Sequence, residues 1–294
     1  NVASQQLAQA LTINSTTLAL TVGNGTATPG TATFAVVPTN HTVFAAADST
    51  SIENGQSADM TFLDRAQDRN SGDSDARWGA ADNLIFAAQG QGPLSGASVW
   101  MRGRNSKITA DASSTAPAFK TTANGFMAGL DWSVRNNMTL GFGAGFDQSS
   151  ISESSKSQSD VTAYRAGAYG SYEDGPLSVD ATINAAADQF KARRIVGKIA
   201  KSHHDGGELG GALRINYAIA ASSFTLVPNI GVFANRLHEN GFTETHAGAF
   251  NLVVKSQSLN SVRPFAGLTL KRAFTTDEGT KITPHISVIY TSEL

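Results

Sequence analysis

No cysteine occurs among the 294 residues, which excludes disulfides and any thiolate site for metal or redox chemistry. A chain that crosses an oxidising compartment unfolded benefits from that absence, having no thiol to be trapped in a wrong pairing. Long apolar runs are missing too. The longest, such as Phe34–Val37 and Leu84–Ala88, hold about four or five residues, against the roughly 20 that a membrane helix needs. Hydrophobic residues make up 40% of the chain. Charge is nearly balanced, at −2 overall, so the whole-chain electrostatics offer no case for nucleic acid or an anionic membrane surface. There is no Gly-x-Ser-x-Gly elbow for a serine hydrolase. Gly141-x-Gly-x-Gly sits inside a strand pattern rather than between a strand and a helix, so it is no phosphate cradle. Asn1 opens the sequence without an export signal, as expected of a piece of a longer chain whose signal is removed or upstream.

What the chain has is alternation. From Ser98 onward, segments of about ten residues carry an apolar side chain at every second position. In Leu177-Ser-Val-Asp-Ala-Thr-Ile-Asn-Ala, the residues Leu177, Val179, Ala181 and Ile183 face one way, and Ser178, Asp180, Thr182 and Asn184 the other. Such a strand needs an apolar medium on one side and water on the other. About nine of these strands, with no helices between them and few large aliphatics on the second face, predict a transmembrane antiparallel up-and-down β-barrel rather than a sandwich. They are expected at 98–107, 122–134, 139–151, 161–172, 177–191, 208–220, 224–237, 259–274 and 280–291. Short turns (135–137, 173–176, 221–223, 275–279) and longer polar loops (108–121, 152–160, 193–207, 238–257) alternate between them, the asymmetry expected of periplasmic and extracellular ends.

Parity assigns the faces. Phe126, Leu130, Trp132, Leu140, Phe142, Phe146, Leu209, Leu213, Ile215, Tyr217, Ile219, Ile282, Ile286, Val288 and Tyr290 are expected against lipid. Asp131, Asp147, Asp180, Glu208, Arg214, Asn216, Asn229, Arg263, Lys271 and His285 are expected in the lumen, where charges of both signs can pair and avoid the cost of hydrocarbon. Trp132, Tyr172, Tyr217 and Tyr290 are expected to form an aromatic girdle. On this basis Asp180→Arg is expected to be mild. The 28 glycines, several inside strands at the cost of backbone entropy, leave room for something inside or permit tight curvature.

Before the strands, 58–69 has helical periodicity, with Met60, Leu63 and Ala66 opposed to Asp64, Arg65, Asp68 and Arg69. Residues 2–11 suggest a short helix, and 17–22 and 31–37 short strands.

Val99-Trp-Met-Arg-Gly, Gly125-Phe-Met-Ala-Gly-Leu-Asp, Leu140-Gly-Phe-Gly-Ala-Gly-Phe, Tyr164-Arg-Ala-Gly-Ala-Tyr-Gly-Ser-Tyr, Pro228-Asn-Ile-Gly-Val-Phe and Gly241-Phe-Thr-Glu-Thr-His-Ala-Gly-Ala-Phe-Asn-Leu follow one another in an order that resembles the translocator β-domain of autotransporters (type V secretion). Phe62-Leu-Asp-Arg-Ala-Gln-Asp-Arg resembles the segment that threads the lumen of that barrel as a helix. The resemblance implies a twelve-stranded barrel, held in the outer membrane of a Gram-negative bacterium, that exports its own N-terminal passenger to the cell surface. Outer-membrane lipid, the outer-membrane assembly machinery and periplasmic chaperones are its implied partners. It divides the chain into a passenger stub or extended linker (1–56), a linker with the lumen helix (57–96; Leu63, Arg65 and Arg69 inward) and the barrel (97–294). Ending at Leu294, the barrel is about nine strands long, and three more with a terminal aromatic residue are expected downstream. The other reading is a surface adhesin or binding protein that uses the barrel only as an anchor.

No enzyme, cofactor or metal site is expected. His203-His204-Asp205 looks like a metal motif but falls in an expected polar loop, as do His238, Glu244 and His246, and no further ligand has suitable spacing. Asp131, Asp147 and Asp180 could cut the passenger beside Asn70 or Asn83, as in family members that cleave themselves. Lumen hydration, or pairing with Arg65 and Arg69, is the simpler expectation. Trp100 and Arg102 share a face, either as a contact to a lumen plug or as a strand-end anchor.

Overall fold

The computed structural model describes residues 11–12, 42–70, 86–87, 97–112, 117–222, 224–275, 281–282 and 284–294. The elements expected at 2–11, 17–22 and 31–37 fall outside them, Leu11 apart. One long helix, α1 (Thr42–Asn70), precedes the strands β1 (Ser98–Ala110), β2 (Phe119–Arg135), β3 (Met138–Glu153), β4 (Gln158–Asp174), β5 (Leu177–Ile195), β6 (Ile199–Tyr217), β7 (Phe224–Glu239), β8 (Gln257–Lys271) and β9 (His285–Thr291). Each pairs antiparallel with the next, and Phe86–Ala87 adds to the edge of β1. The sheet curls into a half-barrel with α1 against the inner face of β2 to β7.

Parity decides the inside and outside as expected within the lower part of the strands. Phe142, Leu213 and Val288 are 47%, 43% and 69% exposed, whereas Asp180 and Arg214 are 0% and 3% exposed. The side chain of Ile282 is not among those described. So many large apolar groups standing outward would be an aggregation hazard in water, and hydrocarbon is the medium that suits them.

Two of the expected loops are strand. The 152–160 and 193–207 segments close as tight hairpins at 154–157 and 196–198, because β3 to β6 run further than the alternation suggested. The physical reason is an inversion of polarity partway up each strand. On β4 the outward residues are Tyr172, Ala168, Ala166 and Tyr164, and then Thr162, Asp160 and Gln158; on β5, Ala187 gives way to Gln189, Lys191 and Arg193. The inner face changes in the opposite sense. Beside the polar inner side chains appear Ile151, Val161, Phe190 and Leu237, buried with Ala46, Ala47 and Ile52 of α1. Below the change a strand faces lipid and its inner face mixes charged side chains with aromatic ones; above it, the outside meets water and the inside holds a core like that of a soluble protein. The sequence pattern loses its outward apolar residues there and looks like a loop.

The change of polarity also marks the edge of the membrane. Phe126, Phe146 and Tyr164 are neighbours across β2, β3 and β4 and form an aromatic ladder at the last apolar level. Tyr172 lies eight residues down β4, about 26 Å along the strand, or about 20 Å along the normal at a tilt of 35–45°. Tyr290, expected in the girdle, instead pairs with Ala266 and through it lies level with Ile230, inside the apolar band.

The helix starts at Thr42, not at Ala58, and runs about 43 Å at 1.5 Å per residue. Ser49, Thr50, Ser51, Asn54, Gly55 and Ser57 are weak helix formers, so propensity alone gives little sign of its first half. Thr50 Oγ1 donates to the Ala46 carbonyl and Thr61 Oγ1 to that of Ser57, which satisfies the hydroxyls inside the lumen without favouring the helix. What holds the helix comes from the wall of the lumen.

Candidate functional site

The inner face and α1 are joined by polar bonds along the whole helix. Nearest its N-terminus, Thr42 Oγ1 donates to Glu153 Oε1 at 2.6 Å and Gln257 Nε2 to Asp48 Oδ2 at 3.1 Å. In the middle, Asn54 Nδ2 donates to Ser149 Oγ at 3.0 Å, and Asp59 accepts from Thr182 and from Asn184 Nδ2, the latter at 2.7 Å. Near the C-terminus, Arg65 forks onto Asp131, with Nε to Oδ2 at 2.5 Å and Nη2 to Oδ1 at 3.1 Å. Tyr169 donates its hydroxyl to the same carboxylate at 2.9 Å.

Arg214 is the densest node. It donates from Nε to Asp180 Oδ2 at 3.1 Å, from Nη1 to Asp64 Oδ1 at 2.9 Å and from Nη2 to the Leu63 carbonyl at 2.7 Å. Asp180 also accepts from Ser171, and from Asn216 Nδ2 at 2.8 Å. Asp147 pairs with Arg104, and Arg165 Nε lies 3.7 Å from it. Arg263 Nη1 donates to Gln56 Oε1 at 2.9 Å and its Nε to Glu293. Leu63 is buried with Ala212, Phe233 and Phe265. The side chain of Arg69 is not among those described.

Arg165, Arg104, Asp59 and Tyr169 are inner-face or helix groups that the sequence reading missed. Arg165 was findable: it stands between Tyr164 and Ala166 in an apolar stretch, where only an inward side chain escapes lipid. It donates to Glu208 Oε2 at 2.9 Å and to Asn184 Oδ1 at 2.6 Å.

Apolar contacts complete the fit. Phe62 of α1 stacks on Tyr169 (ring centroids 5.3 Å apart) and meets Trp100 edge-on at 6.0 Å, while Arg102 Nη1 lies 3.6 Å from Asp64. Both residues of that shared face therefore touch the helix. Glycines line the slot: a Cβ on Gly143 would stand 2.9 Å from Phe62 and from Trp100, and one on Gly167 2.7 Å from Phe62. The strand glycines are the space that the aromatic rings occupy. Gly143→Leu is expected to cost about 1–3 kcal/mol by overpacking, read as a lower urea midpoint for loss of the folded, compact species.

At the upper end, residues 240–256 fold over the helix. Phe242, Leu252 and Val254 are buried with Val43, Phe44 and Ala45, and Arg194 forks onto Glu244 at 2.9 and 2.6 Å.

The family model of the autotransporter β-domain matches residues 99–294, well over half of the chain. The chain belongs to that family. It is therefore a type V secretion β-domain of the outer membrane. Two solved structures share its fold. The translocator domain of the autotransporter NalP from Neisseria meningitidis aligns with a TM-score of 0.62 at 14% identity, over 85% of this chain and 80% of that one. The β domain of the Bordetella autotransporter BrkA aligns with a TM-score of 0.56 at 15% identity, over 68% of this chain and 80% of that one. No curated protein matches the chain in sequence.

In this autotransporter β-domain the three carboxylates weighed for cleavage all have partners: Asp131 holds Arg65, Asp147 holds Arg104, and Asp180 holds Arg214. Asn83 and the Asn70 side chain lie outside the described groups. The histidines are also placed differently from the sequence reading. His204 is not on a solvated loop but on β6, buried and stacked between Phe190 (5.1 Å) and Phe242 (3.9 Å), with Nε2 on Glu239. His203 points the other way, into solvent. His238 Nδ1 bonds Ser258 Oγ at 2.9 Å, and His246 Nδ1 bonds Thr245 Oγ1 at 2.7 Å. Among the described residues no group of three or more such side chains can hold a metal.

Proposed function

We propose that this β-domain anchors its own N-terminal passenger and exports it through the lumen, and that α1 then remains as the plug. The observation that carries this reading is the direction of α1. Its N-terminal residues Thr42 and Phe44 meet Glu153 and Phe242 at the end where the strands run past the apolar band. Its C-terminal Arg65 meets Asp131 near the short turns. A helix that lies in the lumen with its N-terminus at the long end is what a translocated segment would leave behind.

In this reading the segment before Thr42 is a passenger stub or linker at the cell surface. The lumen segment begins at Thr42. The lumen-facing Asp131, Arg214 and Arg263 hold the plug through Arg65, Asp64, the Leu63 carbonyl and Gln56, while Asp147, Asp180 and Asn216 brace the wall behind them. Insertion is assisted by outer-membrane assembly machinery and periplasmic chaperones.

The test uses the whole gene product in cells, with one epitope before Thr42 and another in the 175–176 turn. Protease added to intact cells is expected to remove the first and spare the second. The converse pattern would refute export in this direction.

A further inference from the structure

We propose that the outer face of the β5–β6 hairpin, just beyond the apolar band, binds phosphate-bearing lipid headgroups of the leaflet into which it projects. The near-zero net charge of the chain conceals this surface. Register sets Lys191 opposite His203 and Arg193 opposite Lys201, and Lys198 sits in the connecting turn. All five are exposed on one outward face. Like charges directly opposite one another destabilise a sheet, and Arg193 and Lys201 are such a pair, next to Lys191 on the same face. Among the described residues the side chains of Lys191, Arg193, Lys198 and Lys201 make no ion pair or hydrogen bond.

The acids nearby offset only part of this charge. Asp160 lies opposite Lys191 on the β4 side, and its Oδ1 also accepts from Ser150 Oγ at 2.7 Å. Asp205 stands opposite Gln189. The inward arginines of the same two strands behave otherwise: Arg194 and Arg214 each hold a carboxylate. The excess of positive charge is therefore confined to the outward face.

Height selects the ligand. Lys191 is four residues above Ala187, the last apolar outward residue of β5, which is about 13 Å along the strand and about 10 Å along the normal at the usual tilt. A headgroup layer is roughly 5–8 Å deep on each side of the hydrocarbon, and lysine and arginine stems bend toward it. Lys191 therefore reaches down to the outer edge of that layer, and Arg193 and Lys201 stand about 5 Å further out along the normal, a placement that suits phosphate carried on the outermost part of a headgroup held at the interface by its acyl chains. This inference depends on the outer-membrane reading only for where the headgroups lie.

The experiment titrates phosphatidic acid, phosphatidylcholine or inorganic phosphate into the full chain, folded in neutral detergent micelles, and counts retained molecules by native mass spectrometry. Phosphatidic acid is expected to be retained at roughly tenfold lower concentration than phosphatidylcholine, with the preference shrinking as salt rises. The variant K191Q/R193Q/K198Q/K201Q should lose that preference, and Lys120→Gln, on the outward face of β2, should keep it. Equal retention of the two lipids by the unmutated chain would overturn the proposal, as would undiminished preference in the fourfold variant. Inorganic phosphate binding as strongly as phosphatidic acid would also overturn it, by making the site one for free anions. If the variant does not fold, the lipid comparison and salt dependence of the unmutated chain decide. Failure of the chain to insert into vesicles at all would instead count against the outer-membrane reading.

Discussion

Arg214→Met is expected to destabilise the folded, helix-filled domain by about 3–5 kcal/mol, the range for breaking a buried pair from one side. The guanidinium is 3% exposed and joins the wall to the plug through Asp180, Asp64 and the Leu63 carbonyl. Its removal leaves Asp180, itself 0% exposed, as a buried carboxylate with only Ser171 and Asn216 as donors. Adding Asp180→Asn should recover part of the loss, because a neutral amide needs no counter-charge. Urea unfolding of the two single variants and the double variant gives the coupling. Additive losses would mean that the pair does not act as a unit. The same variant should loosen α1, so ionic conductance through a planar bilayer is expected to rise. The closeness of this packing also alters one sequence expectation: Asp180→Arg is not mild, since a second cation would be set beside Arg214 in a buried site.

The second large effect is on the other face. Phe142→Arg puts a charge on the lipid side of β3, a few residues from either end of the apolar band, and is expected to cost roughly 2–4 kcal/mol. Gln148→Arg changes the same strand on the same outward face, but above the level of Phe146 and Tyr164, where the surface is already polar. It is expected to be nearly neutral. The ratio of membrane-inserted to aggregated protein for the two variants measures the difference. Equal losses would place the membrane boundary elsewhere on β3.

Much of this arrangement is readable in the chain because a strand between an apolar medium and water has a period of two, and here that period repeats strand after strand with no helices between. Leu140, Phe142 and Phe146 against Gly141, Gly143 and Asp147 specify which face is outward before any contact is known. The family segments between Val99 and Leu252 supply the strand order. The same rule fails where the environment changes. Above Tyr164 the outward positions become Thr162, Asp160 and Gln158, and the pattern no longer resembles a membrane strand although the sheet continues.

The partners of the inner face were beyond the reach of periodicity. Parity says that Asp131, Asp147, Asp180 and Arg214 point inward; it cannot say that Arg65 takes the first, Arg104 the second and Arg214 the third. The last two join strands of the wall and depend on how the sheet curls and registers, whereas the first depends on how α1 is rotated and how deep it lies. The first half of α1 shows this most clearly. Ser49 to Ser57 have poor helix propensity and include Gly55, which a helix interior disfavours by about 1 kcal/mol relative to alanine. A Cβ at that position would collide with Glu208 Oε1, on a side chain already held by Arg165 and Asn235.

The order of residues by itself determined the strands, their two faces and the family, because alternation across an interface between lipid and water is a local property of each strand. Only the tertiary structure decided where the helix begins, which carboxylate holds which arginine and where the apolar band ends. Each of those depends on groups brought together from distant parts of the chain, in a lumen whose shape exists only after the sheet has curled.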